Sequence, residues 1–229
     1  MNELVDTTEM YLRVIYDLEE EGTRPMRSRI VERLRHSGPT VSQTVARMER
    51  AGLLVVEEDR RLVLTRDGRD RATRVTRKHR LAELLLAGIV GLEWELVHHE
   101  ACKLEHVMSD AVEKRLVVIL PDPTVSPFGM PVPGLAELGH PSPAPSTGPL
   151  TRLSALGKAG GGTAQVARIE ERLQLSTDWL ATFRRIGLVP GGTVAAEASA
   201  TDGHFAVRAA RGRADLPKRV ADAVLVDVA

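Results

Sequence analysis

His98, Cys102, Glu105 and His106 lie close together in Trp94–Met108 (WELVHHEACKLEHVM). Their spacing of i, i+4, i+7 and i+8 puts them on one face of a single helix at 3.6 residues per turn. His79 and Glu83 repeat the i, i+4 spacing upstream. Imidazole, thiolate and carboxylate together supply N, S and O donors, a mixture that suits a borderline transition metal and disfavours calcium or magnesium. The chain has one cysteine, so no Cys-x-x-Cys pair is available for a structural zinc knuckle. The bland alternative is a solvated helix face. Against it, unpaired carboxylates are costly to bury, and a cation would satisfy them. Cys102 coordinates best as thiolate, so affinity is expected to fall at low pH and on oxidation.

The elements that must hold this cluster follow from periodicity. Met10, Tyr11, Val14, Ile15 and Leu18 predict a helix over Asp6–Glu20, with Asp6 as N-cap and a stop at Gly22. Arg27–Arg35 predicts a second helix. After a His36-Ser37-Gly38 turn, Pro39 suits the first position of a third, running to Ala51. Leu53–Val56 and Arg61–Leu64, around Glu57–Arg60, predict a hairpin. Three helices and a hairpin make a winged helix-turn-helix. In its third helix Val41, Val45 and Met48 face inward. That leaves Thr40, Ser42, Gln43 and Thr44 for base edges, with Ser37 beside them and Pro39 for a thymine methyl. Arg27, Arg29, Arg47, Arg50 and Arg60 are placed to neutralise phosphates. A metal cluster on the same chain as a DNA reader predicts a switch.

Further helices are predicted over Thr65–Ile89, Trp94–Met108 and Ser109–Leu120. Leu81, Leu84, Leu85 and Leu86 make an exposed apolar face that suggests a dimer core. Nine of the thirteen prolines fall between Pro121 and Pro149, which reads as a semi-rigid linker without regular structure. Short β-like runs then follow (Ala164–Ile169, Val194–Ala200, Phe205–Ala209, Val224–Val228), interrupted by a helix at Leu175–Ile186.

At 229 residues the chain has room for two or three small domains. With 43% hydrophobic and 27% charged residues it is expected to fold in solution, and with 3% aromatics its cores must be aliphatic. The formal charge is zero, which argues against a purely electrostatic nucleic-acid binder. Yet Arg24–Arg50 holds seven arginines against Glu32 and Glu49, a patch suited to DNA. No run is long enough to span a membrane, and the acidic start lacks signal-peptide features. A cytoplasmic protein with no membrane partner is expected.

Four strings carry a resemblance: DTTEMYLR at Asp6–Arg13, SGPTVSQTV at Ser37–Val45, RKHRLAE at Arg77–Glu83 and EAC-x-x-EHVM at Glu100–Met108. In these the chain resembles the diphtheria toxin repressor and iron-dependent regulator family of actinobacterial transcription factors, densely over residues 1–140. The resemblance implies a mainly α fold with a small β part. It divides the chain into a winged helix-turn-helix DNA-binding domain (1–73), a helical metal-binding and dimerisation domain (74–140), a Pro-rich linker (141–149) and a C-terminal SH3-like β-barrel (150–229). It implies two metal sites. The activating one maps onto Met10, Cys102, Glu105 and His106; spacing alone gives Met10 no role beyond the core. The ancillary one maps onto His79, Glu83 and His98 with Glu171 and Gln174, Glu170 being an adjacent competitor. Arg80 and Ser126 match an anion-binding group whose usual Asn is Met130 here, and Leu104 stands where Trp is common.

The implied function is an Fe²⁺-activated transcriptional repressor of iron-uptake genes, with Mn²⁺, Co²⁺, Ni²⁺ or Zn²⁺ as substitutes in vitro. It would bind double-stranded palindromic operator DNA as a homodimer, with one or two dimers per operator. Met10 would link the first helix to the metal and fix two reading heads roughly 34–36 Å apart, or a multiple of that. A manganese-responsive regulator of the same fold is the rival, and the sulfur of Met10 and Cys102 favours iron. An enzyme is not expected: no HExxH or comparable catalytic string is present. For a metal carrier the helix-turn-helix would be superfluous.

Overall fold

A computed structural model describes residues 2–141 and 149–228, with side chains from Thr7 onward. Helix α1 (Asn2–Glu20) begins before the expected cap, so Asp6 lies inside it. Its apolar face, Tyr11, Leu12, Val14, Ile15 and Leu18, is fully or almost fully buried. α2 (Arg27–Leu34) and α3 (Gly38–Arg50) pack beneath it through Ile30, Val41, Val45 and Met48. Burying each such side chain contributes about 1.5–3 kcal/mol. Ser37 caps α3 by accepting from Thr40 N (3.3 Å), and Pro39 sits in its first turn. Strands β1 (Leu54–Val56) and β2 (Leu62–Leu64) pair antiparallel with Leu54 opposite Leu64. Arg60 turns the wing with a φ of 69°. This is the expected winged helix-turn-helix.

α4 (Arg66–Leu85) is capped by Thr65, whose side chain accepts from Gly68 N at 3.1 Å. Gly68 is required there: a Cβ would lie 1.8 Å from the carbonyl oxygen of Leu53. α4 also packs along α1. It ends in a π turn at Leu86–Val90, followed by α5 (Trp94–Leu104) and α6 (Asp110–Ile119). The leucines read as an exposed dimer face are covered instead. Leu81 packs with Leu116, Val117, Leu120, Val132 and Leu135, and Leu84 and Leu85 lie against them. The large apolar side chains left exposed in this region include Ile89, Val90, Leu96, Val107 and Val118.

The Pro-rich stretch is not a structureless linker up to Pro141. Phe128, Met130, Val132 and Leu135 are buried, and a 3₁₀ turn forms at Leu135–Leu138. Phe128 O accepts from Ile169 N (2.9 Å). Gly129, at a φ of +81°, is so close to the carbonyl oxygen of Ala167 that a Cβ would lie 2.0 Å from it. Of the linker assigned to 141–149, residues 142–148 lie outside the described residues.

The C-terminal part begins with β3 (Thr151–Arg152) and α7 (Leu153–Lys158). β4 (Gly162–Ile169), α8 (Glu171–Gln174) and α9 (Thr177–Ile186) follow. It closes with β5 (Thr193–Ala198), β6 (His204–Ala209), β7 (Gly212–Pro217), α10 (Lys218–Ala221) and β8 (Val224–Asp227). The six strands form one antiparallel SH3-like sheet in the order β3-β8-β4-β5-β6-β7. The four β-like runs and single helix expected here leave out β3, β7, α7, α8 and α10. The core of this domain is continuous with Ala82, Val97, Ala101 and Phe128, so the domain is seated on α4 and α5.

Candidate metal centre

Five segments converge on one buried cluster. α4 supplies His79 and Glu83, and α5 supplies His98 and Cys102. The turn after α5 supplies Glu105 and His106, α1 supplies Glu9 and Arg13, and α8 supplies Glu171. The expectation of one helix over Trp94–Met108 is corrected here: Glu105 is the C-cap of α5, still helical and bonded to Ala101 O (3.0 Å), and His106 follows it. α5 stops at Leu104, because Ser109 starts α6 by accepting from Val112 N (3.4 Å) and the chain must turn to reach it. Glu105 and His106 therefore come from the turn.

His79 lies at the junction of the two expected sites. Its Nδ1 is 2.5 Å from Glu105 Oε2, and its Nε2 is 2.9 Å from Glu83 Oε1 and 3.2 Å from His98 Nδ1. His98 Nε2 lies 3.6 Å from Cys102 Sγ and 3.9 Å from Glu171 Oε1. Among the described residues, His79, His98 and Cys102 hold their ligand atoms within 4.8 Å of one another. His106 lies at the rim, with Nδ1 2.8 Å from Glu9 Oε2 and Nε2 3.2 Å from Glu105 Oε1. Met10 is half-buried on α1, between Glu9 and Arg13. Gln174 is buried and donates to Ile169 O (2.7 Å). Glu170 is held by Arg152 (3.1 Å) and Arg172 (2.7 Å), so the carboxylate that approaches His98 is Glu171.

The cluster is a set of mutually stabilised charges. Burial alone would push the Cys102 thiol up, but Arg13 and His98 bring it down to about 5. Burial likewise opposes ionisation of Glu83, yet the two histidines hold it at about 2. Desolvation works against a charged His98; the Cys102 thiolate and Glu83 outweigh it and raise His98 to about 9. Glu105 is lowered despite burial, by Arg13 and His79. A half-buried thiolate with buried carboxylate and imidazole donors in mutual reach fits a divalent transition metal.

Sequence reasoning missed Glu9, Arg13, Asp17 and Arg33. Arg13 bonds Glu105 and Cys102 and pairs with Glu171, to which Arg33 also lies close at 3.6 Å. The available signal was weak: Glu9, Arg13 and Asp17 recur at i, i+4, i+8 on the polar side of an amphipathic helix, as solvated ion pairs also do. The anion-binding group is not assembled. Arg80 is taken by Asp17 (3.2 Å), Glu20 (3.1 Å) and the carbonyl of Pro131, while Ser126 accepts from Phe128 N (3.2 Å) and Met130 is buried.

On the DNA-reading face, Ser37, Pro39, Thr40, Ser42, Gln43 and Arg50 are exposed, as are Arg29 and Arg60, whereas Arg27 and Arg47 are half-buried. Thr44 is buried and leaves the set of base-reading candidates. Ser37 and Thr40 bond each other (2.7 Å), and Arg29 pairs with Glu32 (2.9 Å).

A winged helix-turn-helix joined by its first helix to a buried transition-metal donor set defines a metal-responsive DNA-binding protein. Comparison with known proteins agrees. Residues 3–62 match the domain family described as iron dependent repressor, N-terminal DNA binding domain, and residues 65–134 match its metal binding and dimerisation domain. The iron-dependent repressor IdeR of Mycobacterium tuberculosis (strain H37Rv) is 54% identical over 229 residues, 99% of both chains. The diphtheria toxin repressor of Corynebacterium diphtheriae is 57% identical over 178 residues, 78% of both. A manganese-dependent transcriptional repressor in complex with manganese superposes with a TM-score of 0.81 at 30% identity, covering 97% of this chain and 100% of that one. The chain belongs to the iron-dependent repressor family, whose members are repressors and not enzymes. No helix among the described residues is long and apolar enough to cross a membrane.

Proposed function

We propose that this chain is an iron(II)-activated repressor that binds palindromic operators as a homodimer and controls iron-uptake genes. The observation that carries the reading is α1. One helix buries its apolar face in the reading head while Glu9 bonds His106 and Arg13 bonds Glu105 and Cys102. Whatever moves the cluster moves the reader.

Met10, Cys102, Glu105 and His106 would hold the activating metal. His79, Glu83, His98, Glu171 and Gln174 would hold a second, with the His79–Glu105 bond joining the sets. When bound, the metal supplies positive charge and fixed ligand geometry. The protein does the rest. Met10 and Glu9 tie α1 to the turn after α5, Glu171 ties the SH3-like domain to His98, and α1 then sets where α3 stands. Gln43 and the Ser42 hydroxyl read base edges; Arg27, Arg29, Arg47, Arg50 and Arg60 steer and hold phosphates.

Similarity to a manganese-dependent repressor supports a second reading, manganese activation. The sulfur atoms of Met10 and Cys102 favour iron. Anaerobic fluorescence anisotropy on a palindromic operator separates the two. Retention at low micromolar Fe²⁺, reversed by chelator and absent on unrelated DNA, supports the iron reading; stronger activation by Mn²⁺ transfers it to manganese. Binding indifferent to both metals defeats either.

A further inference from the structure

α1 brings a cation to the donor set. Arg13 is only 5% exposed. Its Nε lies 3.2 Å from Glu105 Oε1 and its terminal NH2 3.4 Å from Cys102 Sγ, while the other terminal nitrogen pairs with Glu171. These three anionic partners come from α5, the turn that follows it and α8, and they span both proposed metal sites. A guanidinium is always charged and donates in a fixed fork. Held there, it neutralises the buried negative charge that a divalent cation would otherwise neutralise.

We propose that Arg13 is a resident competitor that sets how much free metal the protein requires. On this reading, which rests on the metal-binding function above, Arg13 surrenders Cys102 and Glu105 when those groups become ligands. A place for the freed guanidinium exists one turn along the same helix. Asp17 Oδ2 already lies 3.8 Å from Arg13. Because Arg13 also pairs with Glu171, the exchange changes the grip of α1 on the SH3-like domain at the same moment.

The test is an anaerobic Co²⁺ titration of the reduced full chain, following the thiolate-to-cobalt charge-transfer absorption that reports on Cys102. Arg13→Gln is expected to reach half-saturation at about tenfold lower free Co²⁺ than wild type, the reverse of the affinity loss that follows when a group supporting the ligands is removed. Arg13→Lys, which keeps the charge but cannot span all three partners, is expected between them. Equal or weaker Co²⁺ binding by Arg13→Gln with a native circular dichroism spectrum overturns the competition and makes Arg13 a structural brace. Should Arg13→Gln fail to fold, Arg13→Lys decides by the same criterion. Absence of the band in wild type removes Cys102 from the ligand set, and the competition for it as well.

Discussion

His98 and Cys102 form an imidazolium–thiolate pair at neutral pH, with His98 raised to about 9 and Cys102 lowered to about 5. The two act in opposite directions on stability. The contribution of His98 is complete below its unperturbed value of about 6.5 and is lost as pH rises through about 9. That of Cys102 is complete above its unperturbed value and is lost as pH falls through about 5. Coordination by His98 requires its neutral form, so metal uptake near neutrality must release its proton. Against burial and the nearby Arg13, His79 is likewise raised, by Glu83 and Glu105. Calorimetry in two buffers of different ionisation enthalpy is therefore expected to give about two protons released per metal bound at the site that His79 and His98 share, with affinity rising toward pH 9. A count of zero would mean that neither imidazole ligates. Met10 makes a second prediction at this scale. Met10→Ala is expected to weaken metal-dependent operator binding by roughly 10–100-fold while the thermal unfolding curve keeps its cooperativity. An unchanged metal response would remove Met10 from the ligand set.

At the scale of elements, α3 and the wing separate reading from holding. Gln43 is exposed on α3 and able to bond two atoms of an adenine edge, whereas Arg50, which bonds Ala46 O (3.3 Å), is placed for phosphate. Gln43→Ala is expected to lose about 1–3 kcal/mol of discrimination at one base position. Arg50→Ala is expected to weaken every sequence alike and flatten the salt dependence by about one charge. Competition binding on single-base operator variants at two salt concentrations checks both; equal losses on all sequences for the Gln43 variant would contradict direct readout. The helices of this reader were legible, since their apolar periodicity and Ser37, Pro39 and Gly52 punctuation agree. The end of α5 was not, because the pattern through Val107 and Met108 continues apolar past the turn. Strand β7 was hidden because Arg213 and Asp215 make it a polar, half-exposed edge. Prolines concealed the packed segment before Pro141, although Phe128, Met130 and Val132 alternate as a buried face should. Arg13 was overlooked because a lone arginine on an amphipathic helix reads as solvated; only the fold reveals three anions around it.

The whole molecule places three parts around one buried charge cluster: the reader through α1, the helical domain through α4 and α5, and the SH3-like domain through α8. A two-headed grip on a palindrome needs a second copy. Ile89, Val90, Leu96 and Val118 are exposed apolar residues of the helical region, 51%, 62%, 39% and 70% accessible. Val118→Asp is expected to shift sedimentation toward monomer and weaken operator binding at least tenfold, since a charge buried at an interface is costly. A dimer unaffected by this change would place the interface elsewhere. Metal control also has a thermodynamic size: moving the reader from 1:99 to 99:1 competent requires about 5.5 kcal/mol of differential binding. That energy must appear reciprocally at both sites. The measurement to make is therefore anaerobic Fe²⁺ affinity with and without saturating operator DNA. Metal-gated binding requires operator to tighten Fe²⁺ by the same factor by which Fe²⁺ tightens operator. An Fe²⁺ affinity identical in the presence and absence of operator would show that the cluster and the reader are not coupled.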